Sequence, residues 1–434
     1  MLWVGMAVSN VGDWLIVGAL VVLVRTLSGS SSAVSGLMIS KILPALFLGS
    51  IAGVLVDRVN RKRSMLAVQV LRGLIVLTLP FMVSIWAIYG IVFVLEFFEL
   101  IFTPAKNASI PNIVEEDQVL TANSISYTTD QLTMIVGLSF GGVIVLVVQT
   151  IVDRLNLAAA PGFTLFLPHL LGPRTVFLVD SLSFFASALV LTFVSMRPTR
   201  RRIGEIHPMH IWRDLLEALR YMLDQAVVRS MIMAVGIAIL GGGTLYSVGI
   251  AYTSEVLRVG ESGYIFVLAL FAAGMLIGAA GAGVVGRFLE RRIMFVGSMG
   301  LFGVALLLFS TLTLYGAALF FAVVAGVAVA ALSVTSYTYL QETVIDEMRG
   351  RVFAALESLL RISLLVSLAV TGPLADLIGT RFARLDGIGF NVNGAQVILI
   401  AGSIVVLVAS VVAYFKVGLN GKRIAGAEGD AGSG

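Results

Sequence analysis

The sequence contains no cysteine and few charged residues, and each shortage narrows what the protein can be. Without cysteine there is no disulfide, no thiol nucleophile and no zinc–thiolate site. Three histidines in 434 residues leave little for a metal centre, so we expect neither a metal nor a cofactor. Charged residues make up only 12% of the chain, whereas a soluble protein has about a quarter. Much of the surface must therefore face lipid rather than water.

Long apolar runs are, by contrast, abundant. Hydrophobic residues account for 58% of the chain, and the mean hydropathy is +1.01. A membrane-spanning helix needs about 20 mainly apolar residues, and these runs are too long and too continuous to be strands of a membrane barrel. We therefore predict an all-α membrane protein with twelve transmembrane helices. The predicted spans are Trp3–Leu27, Ala33–Val56, Met65–Ala87, Tyr89–Thr103, Leu120–Ile151, Thr175–Met196, Ser230–Leu257, Tyr264–Gly286, Ile293–Tyr315, Ala317–Leu340, Val352–Ile378 and Ala395–Phe415.

Lysine and arginine are unevenly distributed among the loops between these spans. Most of the 29 fall on the side that holds both chain termini, which the positive-inside rule assigns to the cytoplasm. We therefore predict a multi-pass protein of the cell (inner) membrane with both termini cytoplasmic. In the one long polar interruption, apolar residues at helical spacing predict an amphipathic interfacial helix. The predicted layout is a six-helix half over 1–196, this linker over 197–229, a second six-helix half over 230–416 and a cytoplasmic tail over 417–434.

The two halves resemble each other in sequence. The segment "GVLVDRVNRKR" returns weakly as "GAGVVGRFLERR", and "IPNIVEEDQV" returns weakly as "LQETVIDEMR". Two matches with similar offsets, in the same order, favour an internal duplication. Internal repeats in a membrane bundle are typical of transporters, whose substrate site lies between the repeats near the middle of the bilayer. The basic turn in the first segment lacks the aromatic or fold signals of a nucleic-acid-binding segment.

The chain resembles the major facilitator superfamily. Two sets of six spans with a basic turn after the second carry this resemblance, and "GVLVDRVNRKR" is similar to the family's signature loop, with Asn60 in place of a second glycine. The order of motifs most resembles the branch of drug:proton antiporters that contains macrolide efflux proteins and the enterobactin exporter. Two departures are Glu96 and Glu99 in span four, where that branch often has an arginine, and Leu138 in span five, in place of a proline. The shared motifs are "SNVGDWL", "PAKNASIPNIV", "ANSI", "SLSFFASALVL" and "RGRVFA".

The resemblance implies a gate at the cytoplasmic face. Asp57 would lie beside the start of span eleven, where a helix N-terminus favours a carboxylate by about 0.3–1 kcal/mol. That contact would close the inner side of the carrier; alternatively, Asp57 only moderates the charge of a basic turn. The residues of this gating motif are Gly53, Asp57, Arg58, Arg61, Lys62, Arg63, Arg349 and Arg351.

Glycines at helix interfaces also have two interpretations. GxxxG pairs allow ordinary close packing of membrane helices. The resemblance implies instead that the span-five set lines the moving interface between the halves, with Gly274–Gly278 as its counterpart. The glycines assigned to this interface are Gly137, Gly141, Gly142 and Gly372.

Ionisable residues within spans are candidates for function, because inserting one at the centre of the bilayer costs roughly 2.5–3.5 kcal/mol of free energy. Asp13, Glu96 and Asp130 lie deep in spans one, four and five, and we expect them to form the acidic part of a central cavity. A low dielectric favours the neutral carboxyl group, so at least one of them would carry the coupling proton. Arg361 would be the opposing charge; the alternative is a fixed ion pair that only holds helices together. Other residues assigned to the cavity are Asn10, Glu99, Tyr246, Tyr337 and Tyr339. Residues assigned to span ends, where snorkelling or capping accounts for the charge, are Lys41, Arg72, Asp180, Glu255 and Asp376.

Three functions remain open. The first is a proton-coupled exporter of amphipathic small molecules, such as drugs, macrolides, siderophores or metabolites, that works by alternating access. The second is a transporter of lysophospholipid or other lipid that is not driven by protons, and the third is a transporter-like sensor or scaffold. An enzyme is disfavoured, since the sequence has no P-loop, nucleophile–base pair or metal cluster. The expected partners are a small amphipathic substrate, protons and membrane lipids, without nucleic acid, and the expected functional unit is a monomer.

Overall fold

The structure is a computed structural model in which the chain divides into two compact units. One unit comprises Met1–Glu205 and Arg258–Ala269, and the other comprises Ile206–Leu257 and Leu270–Gly434. The residues that the structure describes are 2–58, 60–109, 174–194, 220–286, 288–344, 346–382 and 393–431, together with Glu217 and isolated residues or short stretches between 114 and 150.

The described part of the first unit consists mainly of long helices. The N-terminal helix ends at Ser28. The next residue, Gly29, has a φ of +64°, which suits glycine, and its N–H donates to the Arg25 carbonyl at 2.7 Å. The third helix begins after Asn60, whose side chain accepts a hydrogen bond from the Arg63 N–H at 3.1 Å. The asparagine that replaces the family's glycine is therefore the N-cap of this helix. The helices are α1 (Leu2–Ser28), α2 (Ser31–Arg58), α3 (Arg61–Val76), α4 (Ile85–Ser109) and α5 (Thr175–Thr192).

The second unit is also helical where it is described. Its first span is interrupted at Gly243 and ends in a π-helical turn over Tyr252–Val256. The Tyr252 hydroxyl group in this turn donates to the Phe309 carbonyl at 2.8 Å, which ties the turn to a neighbouring helix. The helices are α6 (Ala226–Gly242), α7 (Thr244–Ala251), α8 (Gly260–Val285), α9 (Arg291–Thr311), α10 (Tyr315–Thr343), α11 (Asp346–Phe382) and α12 (Gly394–Ala431); the residues of α8 up to Ala269 are grouped with the first unit.

Eleven helical segments in the described residues are long and apolar enough to cross a membrane, and they correspond to eleven of the twelve predicted spans. Half of the predicted fifth span, Leu120–Ile151, lies outside the described residues, and residues 132–140 within it are helical. The all-α prediction is confirmed. Several boundaries were wrong, since α3 ends at Val76, before a 3₁₀ turn over Leu79–Phe81, and the predicted short fourth span is a helix of 25 residues. The predicted last span, Ala395–Phe415, agrees with the observed apolar span Gly394–Lys416, and the helix that contains it continues to Ala431.

Each unit has its own apolar packing. In the first, α1 packs against α2 and α5, α2 packs against α4, and α3 packs against α4 and α5. A buried cluster there joins four of these helices through Met6, Met65, Phe102 and Leu191. In the second, α6 and α9 both pack against α12, and α9 also packs against α10.

The glycines of α8 bring two backbones into contact. A Cβ added at Gly274 or Gly278 would overlap the carbonyl oxygen of Val323 or Val327 in α10. Both pairs of residues belong to the second unit, so in this structure the Gly274–Gly278 pair serves close packing within one unit.

Candidate functional site

A network of buried charged side chains lies in the first unit, with Arg72 of α3 at its centre. The Arg72 side chain is only 6% exposed, and its two terminal nitrogens donate to different acids. One nitrogen contacts the Asp13 carboxylate of α1 at 2.5 Å, and the other contacts the Glu99 carboxylate of α4 at 2.6 Å. The guanidinium group also lies 4.5 Å from the centre of the Phe184 ring of α5. One arginine therefore joins four helices.

The first unit contains two further buried or half-buried cations with acidic partners, and we group them with Arg72 because their ion pairs involve the same helices, α1 and α4. Lys41 of α2 forms an ion pair with Glu96 of α4. Lys106 of α4, 7% exposed, lies 3.4 Å from the Asp130 carboxylate, which also accepts a hydrogen bond from the Asn10 amide at 2.5 Å. Asn10 and Asp13 lie one turn apart on α1, so this helix contacts two of the ion pairs.

A fifth acid, Asp180 of α5, is completely buried beside α1. One of its oxygens accepts a hydrogen bond from the Ser183 hydroxyl group at 3.1 Å, and the other has no hydrogen-bond partner among the described residues. The carboxyl group contacts α1 at Gly12, where an added Cβ would overlap its first oxygen. The Nε of Arg72 is likewise buried without a partner among the described residues. Some buried polar atoms of this site, on Asp180 and Arg72, thus lack a hydrogen-bond partner among the described residues.

The charge balance of the network is unequal. Among the described residues, five carboxyl groups face three cations, so these groups together would carry a surplus of two negative charges if every acid were ionised. Uncompensated charge is costly at membrane depth. Binding of protons is the direct way to remove such a surplus.

Uncharged polar side chains of the same unit form a separate group, in which the Gln69 amide donates to Ser9 at 3.1 Å and Ser187 at 2.9 Å.

The sequence-predicted acids therefore lie together, but their partners were not predicted. Asp13, Glu96, Glu99, Asp130 and Asn10 all belong to this network. Their observed partners are cations that sequence reasoning placed at span ends or in a loop: Lys41, Arg72 and Lys106. Arg361 lies on α11 of the second unit with an exposed side chain, and its role as an opposing charge stays a prediction.

The position of Arg72 along its helix could have shown that it lies at the same depth as the acids. Asp13 and Arg72 each lie eleven residues from the start of their helices, at Leu2 and Arg61, and Glu99 lies ten residues before the end of α4. At 1.5 Å per residue all three are about 15–17 Å from the same side. The predicted third span began at Met65, which made Arg72 look shallower than it is.

The tyrosines assigned to the cavity lie in the second unit. Tyr246 and Tyr337 line an apolar cavity of about 220 Å³ whose wall also includes Phe271, Met275 and Phe302. The Tyr337 hydroxyl group donates to Glu357, and its ring stacks on Phe353 with centroids 5.5 Å apart. Tyr339 is half-buried on α10 but does not line this cavity.

The structure describes the side chains of only some residues of the gating motif. Lys62 donates to the carbonyls of Thr192 and Val194 at 2.8 and 2.7 Å, so it caps the C-terminal end of α5. Arg351 forms an ion pair with Glu217 of the linker at 2.8 Å. Arg61 and Arg63 lie in the first turn of α3. The side chains of Asp57, Arg58 and Arg349, and Gly53 itself, lie outside the part of the chain whose side chains are described.

The helix-interface glycines have different surroundings. A Cβ added at Gly137 would lie 2.6 Å from the Val11 carbonyl oxygen and from the Trp14 Cβ, so this glycine allows close packing against α1. Gly372 is buried in α11, whereas Gly141 and Gly142 lie outside the described residues. No group of three or more potential metal ligands occurs among the residues that the structure describes.

Comparisons with known proteins agree on one family. The model of the Major Facilitator Superfamily matches residues 2–367. The chain is 25% identical to the MFS-type transporter YfiS of Bacillus subtilis strain 168, over 87% of each chain. It is 22% identical to macrolide efflux protein A of Streptococcus pyogenes, over 92% of this chain and 93% of that one. Its fold matches the inward-facing, unoccupied crystal structure of a bacterial homolog of the human lysosomal transporter Spinster, with a TM-score of 0.76, 15% identity and 96% of each chain covered.

Proposed function

The chain belongs to the major facilitator superfamily, and from this premise we propose that it exports amphipathic small molecules in exchange for protons. It is a multi-pass membrane transporter and not an enzyme. The observation that carries the proposal is the network around Arg72, in which the carboxyl groups that the structure describes outnumber the described cations. Export is supported by the similarity to macrolide efflux protein A.

The network offers a specific way to couple proton binding to movement. Arg72 is shared between Asp13 on α1 and Glu99 on α4. Protonation of either acid removes one of these ion pairs and leaves the guanidinium group bound to the other helix. The relative free energies of two helix arrangements would then depend on the protonation state, as alternating access driven by a proton gradient requires. The alternative is that the ion pairs only hold the helices together.

The second unit supplies a surface suited to the substrate. Its cavity is lined mainly by apolar side chains, with Tyr246 and Tyr337 as polar, stackable groups. An amphipathic molecule could bury its apolar part there and hydrogen-bond to the tyrosine hydroxyl groups. The Arg361 side chain stays our candidate for an opposing charge in part of the transport cycle. The Asp57 motif stays our candidate for the inner gate.

The proposed setting is the cell (inner) membrane, with both termini cytoplasmic and a monomer as the functional unit. We keep the predicted layout of two six-helix halves, over 1–196 and 230–416, joined by the linker over 197–229. The distribution of lysine and arginine supports this orientation.

The decisive test is transport of a radiolabelled macrolide into proteoliposomes with and without a pH gradient. Asp13→Asn, Glu96→Gln and Asp130→Asn would be compared with the wild type for accumulation and for equilibrium binding. We expect at least one amide to keep binding while accumulation falls to the level without a gradient. The matched control is Glu342→Gln, which removes an acid that pairs at 2.6 Å with Arg291 outside the network.

The other outcomes distinguish the alternatives. Loss of binding alone assigns the replaced acid to the substrate rather than the proton. Gradient-independent transport by the wild type supports an uncoupled carrier, which phospholipid-movement assays would identify as a lipid transporter. Absence of transport with any substrate favours a sensor or scaffold. If all three amides respond to the gradient as the wild type does, proton coupling through these acids is wrong.

A further inference from the structure

A groove of about 540 Å³ lies between α6 and α12 on the second unit. At one end the two helices are in backbone contact, because a Cβ added at Gly402 would lie 2.6 Å from the Gly241 carbonyl oxygen. The groove begins next to this contact, at Ile237 and Ile404, and continues along both helices away from it. The close contact therefore forms the closed end of the groove.

The walls of the groove are apolar and partly open to the surroundings. Buried Ala234 and Ala409 belong to the lining, and the side chains of Met233 and Val408 are 52% and 57% exposed. Both helices are apolar enough to cross a membrane, so an acyl chain of a lipid is suited to cover these exposed side chains. From Ile404 to Lys416 the groove extends roughly 18 Å along α12. Half of a hydrocarbon core of about 30 Å is similar in length, so the groove matches one leaflet.

Two cations lie at the open end of the groove. Arg229 lies in the first turn of α6, and Lys416 is the last residue of the apolar span in α12. Both side chains are exposed, and neither forms an ion pair with a described acid. One Arg229 nitrogen donates to the Leu223 carbonyl at 2.6 Å, which holds the guanidinium group in place while other donors stay available.

We propose that this groove binds one anionic phospholipid, with its phosphate between Arg229 and Lys416 and an acyl chain along the apolar walls. A soluble phosphate would satisfy the two cations and leave the apolar groove uncovered. A lipid without net charge would cover the groove but leave the positive charges uncompensated. An anionic lipid matches both parts, at the end of the helices that the basic residues predict to be cytoplasmic. The bound lipid would bridge α6 and α12, and its binding does not depend on proton coupling.

The test is native mass spectrometry of the purified full-length chain with added dioleoyl-phosphatidylglycerol or dioleoyl-phosphatidylcholine. The wild type should retain phosphatidylglycerol in preference to phosphatidylcholine, and glycerol 3-phosphate should not bind. Replacing one cation, by Arg229→Gln or Lys416→Gln, should weaken phosphatidylglycerol binding about fivefold, and replacing both should weaken it about 25-fold. Phosphatidylcholine binding should not change.

Two matched variants separate the groove from general surface charge. Arg292 lies near the same end of α12, where it donates to the Tyr414 carbonyl at 3.1 Å, but it does not line the groove. Arg292→Gln should therefore leave phosphatidylglycerol binding unchanged. Val408→Trp keeps both cations but fills the groove with a large side chain. It should therefore abolish the preference for phosphatidylglycerol over phosphatidylcholine, as the double glutamine variant should. The proposal is overturned if the double glutamine variant binds phosphatidylglycerol like the wild type, if the wild type retains both lipids equally, or if Val408→Trp has no effect.

Discussion

Gly12 is the residue at which the packing around the buried acid of the first unit is tightest. A Cβ at this position would overlap both the Asp180 carboxyl oxygen and the Ser183 hydroxyl oxygen, and Asp180 is 0% exposed. We expect Gly12→Ala to lower the free energy of unfolding by about 1–3 kcal/mol, as overpacking of a core does. Thermal unfolding of the detergent-purified protein would measure this change.

The control at the residue scale is Gly90→Ala in α4. Nothing lies within 4 Å of a Cβ added there, so this variant should be as stable as the wild type or slightly more stable, by about 0.5–1 kcal/mol. Equal unfolding temperatures for the two variants would show that the Gly12 contact does not constrain the protein.

The acids of the site were predictable because charge is rare in the spans, whereas their partners were not. Asp13, Glu96 and Asp130 stand out in apolar runs, since burial of each needs an explanation. Lys41 and Arg72 have long side chains, for which snorkelling is an adequate explanation from sequence. Which acid such a chain reaches depends on which helices are neighbours. That information is tertiary, and the packing of α2 and α3 against α4, together with the approach of Arg72 to Asp13 on α1, supplied it.

At the scale of helices, α8 offers the sharpest comparison between two glycines. A Cβ at Gly278 would meet the backbone of Val327 in α10, and backbone cannot move aside as a flexible side chain can. A Cβ at Gly281 would have nothing within 4 Å. We expect Gly278→Ala to destabilise the protein by about 1–3 kcal/mol in thermal unfolding and Gly281→Ala to leave it unchanged. Similar behaviour of both variants would contradict close packing of α8 on α10.

The existence of the helices was easier to predict than their ends. Long apolar runs identify a span, but a run does not show where hydrogen bonding of the helix stops. α4 continues past Pro104 to Ser109, because a membrane helix tolerates a proline where neighbouring groups compensate for the missing N–H. α3 stops at Val76, and the following 3₁₀ turn has a proline in its first positions. These boundaries depend on local backbone contacts that hydropathy does not report.

At the scale of the whole molecule, the orientation in the membrane is the prediction on which the proposed direction of transport depends. Most of the basic residues fall on the side of both termini, so that side should be cytoplasmic. Reporter fusions after Asp153 and after Glu205 would test this, because α5 lies between the two fusion points. Its 18 residues span roughly 27 Å, close to the thickness of about 30 Å of a hydrocarbon core. Alkaline phosphatase should be active only after Asp153, and green fluorescent protein should fluoresce only after Glu205. A fusion at Gly434 keeps every span and should behave like the fusion after Glu205. If the fusions after Asp153 and Glu205 report the same side, α5 does not cross the membrane and the arrangement of two six-helix halves is wrong.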